Sequence, residues 1–103
     1  MRGEVFALPS PRDGRGHGQR HRRYAVVVQS DDLPLSTLLL APTSTSARAA
    51  SFRPEVEIAG SRTRVLVEQT AAVDPSRLGD SVGRLELDEL RRVEAALRLV
   101  LEL

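Results

Sequence analysis

The sequence predicts a mainly β domain with one α-helix at its C-terminal end, built as a strongly bent antiparallel sheet or small barrel with the helix against it. Three observations predict it. From Gly3 to Leu85 the apolar residues fall into short runs of strand length, separated by clusters of Pro, Gly, Asp and Ser. One of these runs, Tyr24 to Gln29, is almost continuously apolar, as in a strand covered on both faces. From Leu87 onward the period changes to three and four residues.

Taken in order, Gly3 to Leu8 reads as a first strand closed by Pro9 and Pro11, which lack the amides needed to continue pairing. A loop follows from about Ser10 to Arg22. Tyr24 to Gln29 belongs mid-sheet, and Ser30-Asp31-Asp32-Leu33-Pro34 supplies turn chemistry. Thr37 to Ala41 reads as a third strand that Pro42 terminates. Thr43-Ser44-Thr45-Ser46, a hydroxyl run followed by Arg48, reads as a solvated loop whose side chains bond their own backbone. Glu55 to Ala59 alternates as a half-exposed strand does, and a turn at Gly60-Ser61 leads into a partner strand from Thr63 to Glu68. A short extended piece at Gln69 to Asp74, a turn at Asp74-Pro75-Ser76 and a strand around Ser81 to Leu85 bring the count to six or seven. Leu87, Leu90, Val93, Leu97, Val100 and Leu101 form the apolar stripe of a helix running to Leu103. Asp88 and Glu89 sit where a helix N-terminus favours acids. Arg91, Arg92, Glu94 and Arg98 make its solvated face, with pairing expected inside the helix.

The 103 residues, 1–103, form a single domain with one core. An apolar fraction of 41% beside 28% charged residues fits a soluble protein. Aromatics, at 3%, are too few for a binder that works by stacking bases. Cysteine is absent, which excludes disulfides, thiolate metal sites and a cysteine nucleophile. All basic side chains are Arg and none is Lys, which excludes a lysine base and makes every cationic contact planar and permanently charged. No spacing of His and carboxylates suggests a metal site, and no cofactor is expected. The opening Met-Arg-Gly-Glu lacks the apolar run of a signal peptide and no segment has the length to span a bilayer, so a cytoplasmic protein with no membrane partner is expected.

The most concentrated chemistry lies between Arg12 and Arg23, where five arginines face a single acid, Asp13, in a chain of net charge +1. Gly14, Gly16 and Gly18 let backbone amides turn toward a ligand, and guanidinium forks grip phosphate oxygens in pairs. This loop, running straight into the apolar strand at Tyr24, reads as an anion site, phosphate being the obvious anion. Arg12, Arg15, Arg20 and Arg22 read as general phosphate contacts that speed association and give salt dependence.

Four motifs in a fixed order resemble the MazF/PemK family of toxin-antitoxin endoribonucleases across essentially the whole chain. They are Arg2-Gly3-Glu4-Val5-Phe6, then Gly16-His17-Gly18-Gln19-Arg20-His21-Arg22-Arg23-Tyr24-Ala25-Val26-Val27, then Pro42-Thr43-Ser44-Thr45, then Val67-Glu68-Gln69, with a helix after them. The resemblance implies an SH3-like barrel of CcdB/PemK type in each subunit of a homodimer. It also implies metal-independent, sequence-specific cleavage of single-stranded RNA (mRNA, tRNA or rRNA) and neutralisation by a cognate antitoxin. The family's catalytic arginine falls on Arg23 and its catalytic threonine on Ser44, with Thr43 one position away and equally able to supply a hydroxyl. The loop glutamine falls on Gln19. The family's loop Ser-Glu pair is replaced here by His17-Gly18, and the proline after the catalytic arginine is Tyr24.

Metal-free RNA cleavage uses the 2′-hydroxyl as nucleophile and needs a proton acceptor, a donor for the leaving oxygen and positive charge on the phosphorane. Arg23 suits the last of these, and Thr43 or Ser44 can donate to the same oxygens. His17 is the side chain whose ordinary pKa suits proton transfer, and it stands where the family's polar pair is lost. The bland alternative makes His17 and His21 exposed loop residues without a role. Arg48 joins Arg15, Arg20, Arg22 and Gln19 as an RNA contact. Gln69 is either a strand-end residue or a base contact, and Glu68 reads more as a structural or dimer residue. A different class of function on the same barrel is a non-catalytic binding module, or a gyrase poison like the CcdB toxins.

Overall fold

A computed structural model describes residues 1–9 and 23–103. Among these residues seven strands and one helix follow one another as β1 (Glu4–Leu8), β2 (Arg23–Val27), β3 (Leu38–Ser44), β4 (Glu55–Ile58), β5 (Ser61–Val65), β6 (Ala71–Val73), β7 (Ser81–Arg84) and α1 (Leu87–Leu101). Single 3-10 turns lie at Val67–Gln69 and Pro75–Arg77. The sheet order is β4-β5-β3-β2-β1-β7, with β6 beside the first half of β3, and every pairing is antiparallel. This is the mainly β half-barrel with a C-terminal helix that the strand pattern predicts. No helix among the described residues is long and apolar enough to cross a membrane.

β2 lies at the centre, between β1 and β3. Alternate residues of β2, and Val28 just after it, feed two apolar clusters. Val26 and Val28 join Val5, Ala41, Val56, Ile58, Val65 and Val67 under Val93 and Ala96 of α1. Ala25 and Val27 join Leu40, with Phe6, Leu8, Leu38 and Val73, on the opposite face. Because Val26 and Val27 are both fully buried, no polar side chain fits at either position, which is why the run is apolar throughout.

β3 corrects the expected strand from Thr37 to Ala41. It runs through Pro42 to Ser44. Pro42 is tolerated because the far side of β3 changes partner there: Leu38, Leu39 and Leu40 pair with β6, whereas Thr43 and Ser44 pair with β5. The Pro42 carbonyl accepts from Leu66 N at 2.8 Å. In an extended residue the nitrogen faces the same edge as the carbonyl, so the missing N–H falls in the gap between β5 and β6. Thr43, expected in a solvated loop, is therefore inside the strand and only 2% exposed.

The β4–β5 hairpin also differs in detail. Its turn is Ala59-Gly60, with φ of 52° and 82°, the double left-handed geometry of a two-residue hairpin. β5 ends at Val65, and Val67–Gln69 is a 3-10 turn where an extended strand was expected. The alternating apolar residues continue past the point where the chain must leave β5 to reach β6, so period alone overran the strand.

Two acids fix the helix. Glu89, 9% exposed, accepts from Glu86 N at 3.0 Å through Oε1 and from Glu57 N at 2.9 Å through Oε2, capping α1 and tying it to β4. Glu94 pairs across the molecule with Arg2 at 3.1 Å rather than within the helix. Arg92 does pair within it, with Asp88 at 3.7 Å, and also donates to the Glu55 carbonyl at 2.6 Å.

Candidate active site

The β2–β3 register sets Val27 against Leu40, Val26 against Ala41 and Ala25 against Pro42. Continued outward, it sets Tyr24 against Thr43 and Arg23 against Ser44, at the start of one strand and the end of the next. Thr43 Oγ1 donates to the Tyr24 carbonyl at 3.1 Å and accepts from Tyr24 N at 3.4 Å. Its hydroxyl therefore zips the two strands together, and its proton is already committed.

Ser44 points to the opposite face, half-buried. Its Oγ accepts from Ser46 N at 3.2 Å and lies 3.3 Å from Ser46 Oγ. Such a local turn directs lone pairs back at the chain and leaves the serine proton to be donated outward or shared with Ser46. Arg23 stands beside it and is exposed. Among the described residues its guanidinium has one hydrogen bond, from Nη2 to the Thr43 carbonyl at 3.4 Å. That long contact aims the group along the end of β3, and among the described residues its other N–H groups have no partner, as anion binding requires.

A family model described as "PemK-like, MazF-like toxin of type II toxin-antitoxin system" matches residues 1–101. The chain belongs to this toxin family. It is 43% identical over 97 residues, 93% of this chain and 92% of the relative, to the Mycobacterium tuberculosis (strain ATCC 25618 / H37Rv) protein named "Putative toxin Rv3098A/RVBD_3098A". Its fold is similar to that of Mycobacterium tuberculosis toxin MazF-mt6, with a TM-score of 0.76 at 14% identity over 97% of both chains. It is likewise similar to a mycobacterial endoribonuclease solved in complex with its cognate antitoxin, with a TM-score of 0.75 at 18% identity over 100% of this chain and 95% of that one. MazF from Deinococcus radiodurans gives 0.74 at 21% identity, over 100% and 96%. At such identities the structural likeness is one of fold.

Within this MazF-like toxin, the segment after Ser44 is held by an ion pair that the sequence only half disclosed. Arg53 donates from Nη2 and Nε to Glu68 Oε2 at 2.7 and 3.0 Å, lies 5.4 Å over the Phe52 ring and reaches the Arg48 carbonyl at 3.3 Å. Glu68 thereby has a structural role: it fixes Arg53, and Arg53 shapes residues 45–54. Burial works to raise the Glu68 pKa, but the hydrogen bonds from Arg53, from its own backbone N–H and from Gln69, together with the charge of Arg53, outweigh it and hold the carboxyl below the usual glutamate value. Arg48 is exposed on that segment, and Gln69 is exposed at the end of the 3-10 turn after Glu68. The structure thus brings Arg23, Thr43 and Ser44 together and sets Arg48 on the adjoining loop. His17, Gln19, Arg15, Arg20 and Arg22 lie outside the described residues. Among the described residues no group of three or more His, Cys, Asp and Glu is arranged to hold a metal ion.

Arg64, like Arg53, carries no signal in the local sequence. Ser44 pairs with Arg64 across β3–β5, and Arg64 pairs with Glu55 across β4–β5. The signal is visible only when register is known, since nothing in the local sequence links Ser44 to Arg64.

Proposed function

We propose that this toxin is a sequence-specific endoribonuclease that cleaves single-stranded RNA without a metal, by attack of the substrate's own 2′-hydroxyl. The observation that carries the reading is the exposed Arg23 guanidinium, held among the described residues by one long hydrogen bond, on the same face of the sheet as the Ser44 hydroxyl. In the reaction the 2′-oxygen bonds to phosphorus and the bond to the 5′-oxygen breaks, leaving a 2′,3′-cyclic phosphate and a 5′-oxygen that takes a proton from water to become a 5′-hydroxyl. Charge grows on the non-bridging oxygens along the way. Arg23 meets that charge, an effect typically worth about 3 kcal/mol or more in a dry site, and Ser44 donates to the same oxygens. Thr43 acts one step removed, keeping Arg23 and Ser44 opposed by joining β2 to β3. We assign the proton from the 2′-hydroxyl to His17, and the phosphate contacts to Arg15, Arg20, Arg22 and Arg48 with Gln19 and Gln69 at the bases.

The partners follow from the same reading: a second copy of this chain, whose exposed Leu99, Val100 and Leu101 on α1 and Leu33 and Leu35 offer apolar surface to cover, and a cognate antitoxin protein. Support comes from family membership and from the endoribonuclease and the antitoxin complex among the fold neighbours. The deciding experiment is incubation of purified protein with a long single-stranded RNA in EDTA, followed by mapping of the ends. Discrete cuts bearing 5′-hydroxyls are expected. Activity that disappears in EDTA and returns with Mg²⁺ removes the metal-free mechanism, and binding without cuts leaves a non-catalytic module on the same barrel.

A further inference from the structure

The candidate site extends one strand further than Arg23 and Ser44. Residues directly opposed on neighbouring strands share a face of the sheet. On β5, Thr63 and Val65 are buried and Val65 packs beneath α1, so Arg64 projects from the other face. On β3, Leu40 packs on that other face and Ser44 lies four residues further along the same alternation. Ala25 and Val27 likewise place Arg23 there. A single row across β2, β3, β5 and β4 therefore reads Arg23, Ser44, Arg64, Glu55, all on the face away from the helix.

Strand spacing separates the two arginine-bearing backbones by about 10 Å, and side chains of this length can close that gap to the separation of successive phosphates. Arg64 is prepared for such a role. Its Nη1 donates to the Arg53 carbonyl at 3.0 Å, which orients the guanidinium. Its only carboxylate neighbour among the described residues is Glu55, at 3.9 Å, a loose pair that Arg62 shares at 3.5 Å. At 27% exposure, the Arg64 side chain is shielded enough for its charge to be felt and open enough to be reached.

We propose that Arg64 is a substrate-binding residue that grips the phosphate next to the scissile one, so that two successive phosphates of a single RNA strand lie across Arg23 and Arg64 with Ser44 between them. Glu55 then tunes the grip by competing for the same guanidinium. The assignment rests on the ribonuclease reading and deepens it.

The test compares wild type, Arg64→Ala, Arg64→Lys and Glu55→Gln in cleavage of a short RNA containing one cut site, and in anisotropy titrations with the same oligonucleotide carrying a 2′-deoxy sugar at that site. Arg64→Ala should raise KM about tenfold with kcat within about twofold, and should flatten the salt dependence of binding by roughly 0.7 in log–log slope, the value for one phosphate of a single strand. Arg64→Lys should restore the slope but not the full affinity, and Glu55→Gln should bind more tightly than wild type. If wild type cleaves while Arg64→Ala keeps its KM and slope, this assignment falls and the ribonuclease reading stands. A drop in kcat and thermal midpoint at unchanged slope overturns it too, because that is what losing the Arg53 carbonyl contact alone would do. A wild type that neither binds nor cuts RNA overturns both.

Discussion

Two arginines on the same sheet show how differently one side chain can be used. Arg2, just before β1, donates from Nη1 to the Val28 carbonyl at 2.6 Å and from Nε and Nη2 to Glu94 at 3.3 and 3.1 Å. Arg23, which opens β2, has among the described residues one bond of 3.4 Å and no carboxylate partner. The first guanidinium clamps β1, the end of β2 and α1 together. The second is aimed by the backbone but not neutralised by it, which is the condition for receiving an anion. Gly3 completes the first clamp: its φ is +88°, and a β-carbon at this position would lie 3.2 Å from Leu90 Cδ2, so both the backbone and the space favour glycine. The Arg-Gly-Glu opening of the chain is therefore a fold-holding motif, whereas the arginine at residue 23 is the one we assign to the chemistry.

The contrast breaks first, and by the largest amount, through paired alanine substitutions. Arg23→Ala should lower turnover on RNA by at least about a hundredfold, which is about 2.7 kcal/mol of transition-state stabilisation, while leaving the thermal midpoint in place. Arg2→Ala should do the reverse. Its ion pair is partly exposed and modest in worth, but the Val28 carbonyl also loses its donor, so a stability loss of about 1–2 kcal/mol is expected with turnover per folded molecule unchanged. Kinetics and thermal melts on both proteins check the pair; an active Arg23→Ala protein removes that arginine from the mechanism.

A smaller separation is expected between the two adjacent hydroxyls. Thr43→Val leaves Tyr24 N and the Tyr24 carbonyl without the hydroxyl that serves both, and should cost about 1–3 kcal/mol of stability. Ser44→Ala removes no buried bond and should leave stability alone while lowering kcat about tenfold. Denaturant melts beside single-turnover cleavage distinguish them. If Thr43→Val folds normally and is inactive while Ser44→Ala is active, the roles of the two residues are exchanged.

How much of this could be read in advance depended on whether it was written locally. The β2 run, the bracketing turns and the helix stripe are local, and the half-barrel followed from them and from the motif order. Arg23 could be proposed because it abuts the β2 run within a recognisable motif. The preference for Ser44 over Thr43 that we propose could not be read in this way, since it turns on which face of β3 each occupies, and that required knowing that β3 passes through Pro42. A proline reads as a stop unless the change of neighbour from β6 to β5 is already known. Arg64 and the Arg53–Glu68 pair were hidden for the same reason, because register and tertiary pairing bring together residues with no sequence relation.

The Arg53–Glu68 pair gives the smallest and most specific test, because it lies beside the proposed active corner yet belongs with Arg2 in kind. Its carboxyl is held below the ordinary glutamate pKa of 4.5 in the folded protein. The sign follows directly: the stabilising contribution is complete above the unfolded value of 4.5 and is lost as pH falls through the lower folded value, where the carboxylate takes up its proton. Glu68→Gln keeps the size and one hydrogen-bond acceptor but removes the titration. Near neutral pH the variant should be less stable than wild type by about 1 kcal/mol, the scale of a partly shielded pair. Below pH 4.5 the two stability curves should converge. A gap that stays constant down to the acid limit would show that the pair stabilises by packing and hydrogen bonding alone. Because Arg53 also reaches the Arg48 carbonyl, the variant should loosen residues 45–54 and raise KM slightly without touching kcat, whereas a fall in kcat equal to that of Ser44→Ala would move Glu68 from the scaffold into the chemistry.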